Sequence, residues 1–354
     1  MKITAKVRLN PNSEQRISLL RTLETANACA NWLSHEAWER QVFRQFSLHK
    51  LLYYEARERF QLSAQIVVRL FAKVADSYKL DKKCELRFSK HGAISYDSRI
   101  LSFANQTVNI WTVEGRQRIP YSAGDRQKEQ LRSQQGESDL IYHRGKWFLA
   151  ATCDIDNPTP AAVDEFLGVD LGIVQIASDS DGDSLSGSMT NNVRYRHRKL
   201  RKHLQAAQTK SAKRHLKKLA GKESRFAQNV NHTIAKTIVE KAKRTGRGIA
   251  IEKLTGIRER IRARKSQREI LHSWAFAQLG AFLKYKAVLA GVILVEVDPR
   301  NSSRECSQCG HIEKANRPSQ SRFQCRSCDY TANADFNAAR VLASRAKVNR
   351  PIAA

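Results

Sequence analysis

Four cysteines, Cys306, Cys309, Cys325 and Cys328, follow the spacing Cys-x2-Cys-x15-Cys-x2-Cys. Two such knuckles turn four thiolates toward one ion, and a closed four-thiolate set suits structural Zn2+. An ion of that kind holds a small ribbon where the apolar core is thin, and it does no catalysis. The other three cysteines, Cys29, Cys84 and Cys153, are scattered and read as small buried hydrophobes.

Three carboxylates carry the second chemistry. Asp170 ends a strand-like run that begins at Phe166, and Leu171-Gly172 follows it. Glu252 ends another, Gly248-Ile-Ala-Ile-Glu252. Asp335 falls in the first turn of the last predicted helix, within Asn333-Ala-Asp-Phe-Asn-Ala-Ala339. Strand ends and a helix start can bring these three together from distant parts of the chain. Carboxylates so gathered repel one another unless cations sit among them. Hard divalent ions with oxygen ligands suit the set, with Mg2+ as the default. Two such ions can clamp a scissile phosphodiester, one activating water and the other stabilising the leaving oxygen. Singly, each acid has a plainer reading; Asp335 would complement a helix dipole. Together, in this order and beside a zinc ribbon, they point to phosphodiester hydrolysis.

The charge balance names the partner. The 354 residues hold 62 Lys and Arg against 34 Asp and Glu, a formal net charge of +28. Such an excess is tolerated when a polyanion is the working partner, so nucleic acid leads. Between Asn191 and Ile270 stand 25 Lys and Arg against five Glu and no Asp. The densest part supplies candidate phosphate contacts at Arg194, Arg196, Arg198, Lys199, Arg201, Lys202, Lys213, Arg214, Lys217 and Lys218, with Leu200, Leu204, Leu216 and Leu219 as an inner face. Phosphate contacts fix position and affinity, carry no sequence information and weaken with salt. A second basic run, Arg258 to Lys265, follows the strand bearing Glu252. No stretch reaches the ~18 apolar residues of a membrane span. The start, Met1-Lys-Ile-Thr-Ala-Lys6, has no signal-peptide core. The expectation is therefore a reducing, cytoplasmic, nucleoid-associated setting with no membrane partner.

The elements that must position these groups fall into two textures. Ile3, Ala5, Val7 and Leu9 alternate as in a half-buried strand, and Pro11 stops it. Asn12, with Gln15 three residues on, predicts a helix start, and the pattern stays helical to about Tyr78. From about Glu85 to Asp154 short β-prone runs predict a small barrel or open sheet that recruits the first strand. Asn157-Pro-Thr-Pro160 reads as a linker. Beyond it come a hairpin with Asp181-Gly182 at its turn, a long basic helical region from about Asn191 to Arg244, the Glu252 strand, a helix through Leu279, Leu283 and Ala287, a strand from Gly291 to Val297, the cysteines and a last helix. That order is the order of an RNase H-like mixed α/β fold.

The motifs Gly168-Val-Asp-Leu-Gly-Ile173, Ile249-Ala-Ile-Glu-Lys-Leu-Thr-Gly-Ile257, Trp274-Ala-Phe276, Val297-Asp-Pro299 through Ser302-Ser303, Cys306-Ser-Gln-Cys-Gly310, Phe323-Gln-Cys-Arg-Ser-Cys328 and Ala334-Asp-Phe-Asn-Ala-Ala339 occur in this order. Over roughly residues 165 to 345 the chain thereby resembles the TnpB (OrfB) family of insertion-sequence proteins, compact relatives of type V CRISPR nucleases. The resemblance implies a RuvC-like nuclease domain over 161–302 and 331–354 with a zinc-ribbon insert over 303–330. It also implies a wedge-like β domain over 1–10 and 81–157 with a helical recognition insert over 11–80. It places Asp170, Glu252 and Asp335 as catalytic acids holding Mg2+, with a guide RNA and double-stranded target DNA as partners. The activity implied is transposon-associated, RNA-guided DNA cleavage; a transposase or a non-cleaving regulator is the alternative. Two positions depart from the family pattern. Asn333 stands where an acid is usual, and Asp329 where glycine follows the fourth cysteine. Neither change removes a metal ligand.

Overall fold

The computed structural model describes residues 1–172, 174–253 and 276–348. The motif residues Ile173, Leu254 to Ile257, Trp274 and Ala275, and the basic run Arg258 to Lys265, lie outside them. The chain divides into two units, Met1–Asp156 and Asn157–Ala354.

In the first unit β1 (Lys2–Leu9) leads into helices α1 (Ser13–Glu39), α2 (Gln45–Phe60) and α3 (Ala64–Leu80). Asn12 caps α1 as its sequence predicts: its Oδ1 accepts the Gln15 N–H at 2.8 Å, and the Gln15 side chain accepts the Asn12 N–H at 3.1 Å. The chain then returns through β2 (Ile94–Tyr96), β3 (Leu101–Ala104), β4 (Thr107–Thr112), β5 (Gly115–Ser122), a short α4 (Asp125–Arg132), β6 (Gln134–His143) and β7 (Lys146–Asp154). The sheet is antiparallel in the order β2-β6-β7-β1-β5-β4-β3. Lys2 to Leu9 pair with Asp154 to Trp147 along their whole length, so the first strand is a central member of the sheet. Cys29 and Cys153 lie in the core; Cys84 does not, being exposed in the loop after α3, where Asp81-Lys-Lys offers no apolar neighbours.

In the second unit β8 (Phe166–Asp170), β9 (Gln175–Asp179) and β10 (Ser184–Ser186) form an antiparallel meander, with Gly182 at φ +99° in the Asp181-Gly182 turn. Two helices follow, α5 (Ser188–Ala207) and α6 (Lys210–Arg244). The sequence suggested one continuous region. Gln208 instead adopts φ +49°, and Thr209 restarts the helix by accepting the Ala212 N–H on its side chain. Then come β11 (Gly248–Glu252), α7 (Phe276–Ala290), β12 (Leu294–Val297), a cysteine-bearing ribbon with the hairpin β13 (Arg322–Gln324) and β14 (Thr331–Asn333), and α8 (Ala334–Val348).

The five-stranded sheet runs β10-β9-β8-β11-β12, with β8, β11 and β12 parallel. Strand alternation sorts its two faces. Leu167, Val169, Ile249 and Ile251 pack with Ile234, Ile238, Leu279 and Leu283 from α6 and α7. Phe166 and Ala250 pack with Leu342 and Ala346 of α8 on the other face. α8 lies so close to β8 that a Cβ on Gly168 would stand 1.8 Å from the Ala339 carbonyl oxygen, so glycine is required there for contact and not for flexibility. The chain is thus mixed α and β, with a seven-stranded antiparallel sheet and a four-cysteine cluster.

Candidate active site and metal centre

Asp170 and Glu252 sit at the C-terminal ends of adjacent parallel strands. Val169 pairs with Ile251, so the two acids stand opposite each other one register step further on. Neighbouring strands are about 4.8 Å apart. By alternation both side chains face the α8 side of the sheet. α8 runs antiparallel to β8: Lys347 reaches Glu165 at 3.5 Å, Ala339 covers Gly168, and Asp335 comes one turn earlier, at the Asp170 end. Asn333 fixes that start, its Oδ1 accepting the N–H groups of Asp335 at 2.9 Å and Phe336 at 3.4 Å.

The electrostatics fit this convergence. Burial pushes the Asp170 carboxyl up to about 7; the charge of Asp335 adds to the rise and Arg317 opposes it. Burial and the charge of Asp170 push Glu252 up to about 8. Carboxyls so raised need a cation to ionise fully at neutral pH. Arg317 is a member of the site that the sequence reading missed. It follows the short helical turn Lys314–Asn316 of the ribbon, and its Nη2 donates to Asp335 Oδ1 at 3.3 Å and to the Gln320 carbonyl at 2.6 Å. Nothing in the string marks it out among 62 basic residues. The oxygen-only donor set of Asp170, Glu252 and Asp335 suits a hard divalent ion.

The cysteines form a second centre. Their four Sγ atoms lie within 4.8 Å of one another, with Cys306 to Cys328 at 3.7 Å and Cys309 to Cys325 at 3.6 Å. Four sulfurs placed ~2.3 Å from one zinc ion would stand ~3.8 Å apart, so the cluster can hold zinc. Burial raises the Cys325 thiol, but N–H donors from Cys328 and Ser327 and the neighbouring thiols outweigh it and bring the group down to about 6. In the second knuckle Asp329, where the family pattern has glycine, holds φ +54°.

The basic residues sort less evenly than the string implied. On α5 and α6, Arg196, Arg198, Lys199, Lys202, Lys213, Arg214, Lys217 and Lys218 are exposed. Arg194 and Arg201 are half-buried and turned inward: Arg201 pairs with Glu223 at 2.5 Å, and Arg194 feels the same carboxylate. Glu223 is the buried-side acid that joins the two helices. Lys241 clamps the β9–β10 hairpin to α6, reaching Asp179 at 2.5 Å, Asp181 at 3.0 Å and Asp183 at 2.8 Å, while Arg247 grips Asp181. No helix among the described residues is long and apolar enough to cross a membrane.

Over part of its length the chain is similar in sequence to TnpB-like and Cas12f proteins. Residues 276–342 match the family model Cas12f1-like, TNB domain. The chain is 40% identical over 129 residues to the CRISPR-associated endodeoxyribonuclease Cas12f1 of Sulfoacidibacillus thermotolerans, covering 36% of this chain and 29% of that protein. It is 31% identical over 121 residues to the TnpB-like protein MJ0751 of Methanocaldococcus jannaschii, covering 34% of this chain and 43% of that one. The chain thus spans less than half the length of each of these curated relatives. A Cas12f1 chain solved in complex with sgRNA and target DNA shares its fold, with a TM-score of 0.61 at 17% identity over 93% of this chain and 83% of that one.

Proposed function

We propose that this protein is a transposon-associated, RNA-guided DNA endonuclease with a RuvC-like catalytic domain over 161–302 and 331–354. On this reading residues 303–330 are a zinc-ribbon insert, 1–10 and 81–157 a wedge-like domain, and 11–80 a recognition insert. The observation that carries the proposal is that Asp170 and Glu252 end adjacent parallel strands and Asp335 starts the helix packed on them, near enough for Asp335 to raise Asp170 and for Asp170 to raise Glu252; among the described residues only the four cysteines already stand within metal-holding distance of one another. The strand order, with acids on the two central parallel strands and on the last helix, supports an RNase H-like assignment.

Asp170, Glu252 and Asp335 would hold Mg2+, which when bound supplies Lewis-acid stabilisation of the phosphodiester and a more acidic water. Asp170 and Glu252 give up their protons as they become ligands, and the clustering of their charges ceases to oppose the fold. Arg317 supplies a fixed positive charge beside Asp335, where a phosphate oxygen of the substrate would approach. The exposed cations named above on α5 and α6 bind phosphates without reading sequence, and pairing between guide and target reads it.

The test is to purify the protein from cells carrying its native locus, sequence the RNA that accompanies it, and assay cleavage of a matching plasmid with Mg2+. Cleavage is expected to disappear in Asp170→Ala, Glu252→Ala and Asp335→Ala while RNA-dependent DNA binding persists. Joined rather than hydrolysed ends would favour a transposase instead, and no cleavage by the wild-type complex would favour a regulator.

A further inference from the structure

Asn337 is fully buried on α8, two residues beyond Asp335, and its side-chain hydrogen bonds go to neither a carboxylate of that group nor a thiol. Its side chain amide instead clips the backbone on both sides of Cys306. Nδ2 donates to the Glu305 carbonyl at 2.7 Å, and Oδ1 accepts the Ser307 N–H at 3.0 Å. Two turns further along α8, Arg345 grips the same incoming segment through the Asp298 and Arg300 carbonyls and the Glu305 carboxylate. The ribbon returns the connection from its own side. Buried Asn316 donates to the Arg304 and His311 carbonyls and accepts the Arg326 N–H, tying the two knuckles together, and the next residue is Arg317, which reaches Asp335.

We infer that Asn337 is a positioning residue that couples the cysteine centre to the carboxylate centre: zinc at the cysteines tightens binding of divalent metal at Asp170, Glu252 and Asp335 through its two hydrogen bonds around Cys306. A buried amide with both ends satisfied holds its helix in one register against the knuckle, whereas a loose knuckle leaves that helix start free to shift. Coupling of this kind is reciprocal, so metal at the carboxylates tightens zinc by the same factor. The inference rests on the reading of Asp335 as a metal-binding acid.

The experiment uses the full chain, stripped of zinc under reducing conditions or reloaded with one equivalent. Mn2+ serves as the probe, its binding followed by electron paramagnetic resonance, and zinc affinity is measured by chelator competition. In the wild-type protein zinc is expected to tighten Mn2+ by roughly 5- to 20-fold, within the usual range of such couplings. Asn337→Ala is expected to keep its zinc stoichiometry and to lose the response, with Mn2+ affinity changing less than about 2-fold on zinc loading. Circular dichroism identifies a variant that fails to fold; Asn337→Asp, which keeps the acceptor toward Ser307 and loses the donor toward Glu305, then carries the same expectation. Wild-type Mn2+ affinity that ignores zinc, or coupling that survives the substitutions, overturns the inference. Coupled metal binding in a protein that cuts no DNA would instead sink the nuclease reading and leave the coupling standing.

Discussion

Asp170 and Glu252 are held where a carboxyl prefers its proton, and that preference has measurable consequences. In an unfolded chain both would ionise near pH 4. In the metal-free fold they keep protons to about 7 and 8. The folded state therefore binds more protons than the unfolded state between those limits, and stability falls as pH rises through that window. Melting of the metal-free protein is expected to drop by several degrees between pH 5 and 8.5, to recover on adding Mg2+, and to lose most of its pH dependence in an Asp170→Asn, Glu252→Gln double variant. The same groups predict that metal binding releases protons at pH 7, readable by calorimetry in buffers of different ionisation enthalpy. Asp329 offers a separate check. Its φ of +54° lies in the left-handed region, which glycine occupies without penalty. Asp329→Gly is expected to stabilise the zinc-loaded ribbon by about 0.5–1 kcal/mol, measured as a rise in the midpoint of chelator-induced melting; a fall would mean that the aspartate side chain contributes more than its backbone strain removes.

The elements were unevenly legible in the string. The four-cysteine cluster could be read from spacing alone, because two Cys-x2-Cys pairs within a short span bring four sulfurs to one point. The acid positions could be read because each closes an apolar run, Leu167 to Val169 before Asp170 and Ile249 to Ile251 before Glu252. β5 was not legible: Gly115-Arg-Gln-Arg-Ile-Pro120 is polar on its outer side and carries a proline, yet the strand pairs with β4 along Gly115 to Pro120. Arg317 and Asn337 were illegible for another reason, since their roles arise from contacts across the ribbon and helix that no local pattern encodes. Glu223 was hidden likewise; only the packing of α5 on α6 shows that it draws Arg194 and Arg201 inward. The two faces of this hairpin make distinct predictions. Replacing Lys213, Arg214, Lys217 and Lys218 with glutamine should weaken nucleic-acid binding and lower its salt dependence, by up to about one unit of slope for each phosphate no longer neutralised. Arg201→Gln should mainly lower helix stability, seen by thermal melting, with little change in the salt slope.

At the scale of the whole molecule, a net charge of +28 and a group of half-buried acids are opposite demands on one chain. The positive excess suits a polyanionic partner, and Asp170 and Glu252 sit at one end of a sheet with Asp335 of α8 and Arg317 of the ribbon beside them. Arg317 is a cation already present beside Asp335, and burial still raises the Asp170 and Glu252 carboxyls. Divalent ions are therefore expected to complete the site. The most direct measurement is anomalous scattering from crystals of the protein–RNA complex grown with Mn2+. Two peaks about 4 Å apart, ligated by Asp170, Glu252 and Asp335, are expected. Crystals with Mn2+ bound elsewhere, and those three carboxylates turned apart without an ion between them, would contradict it.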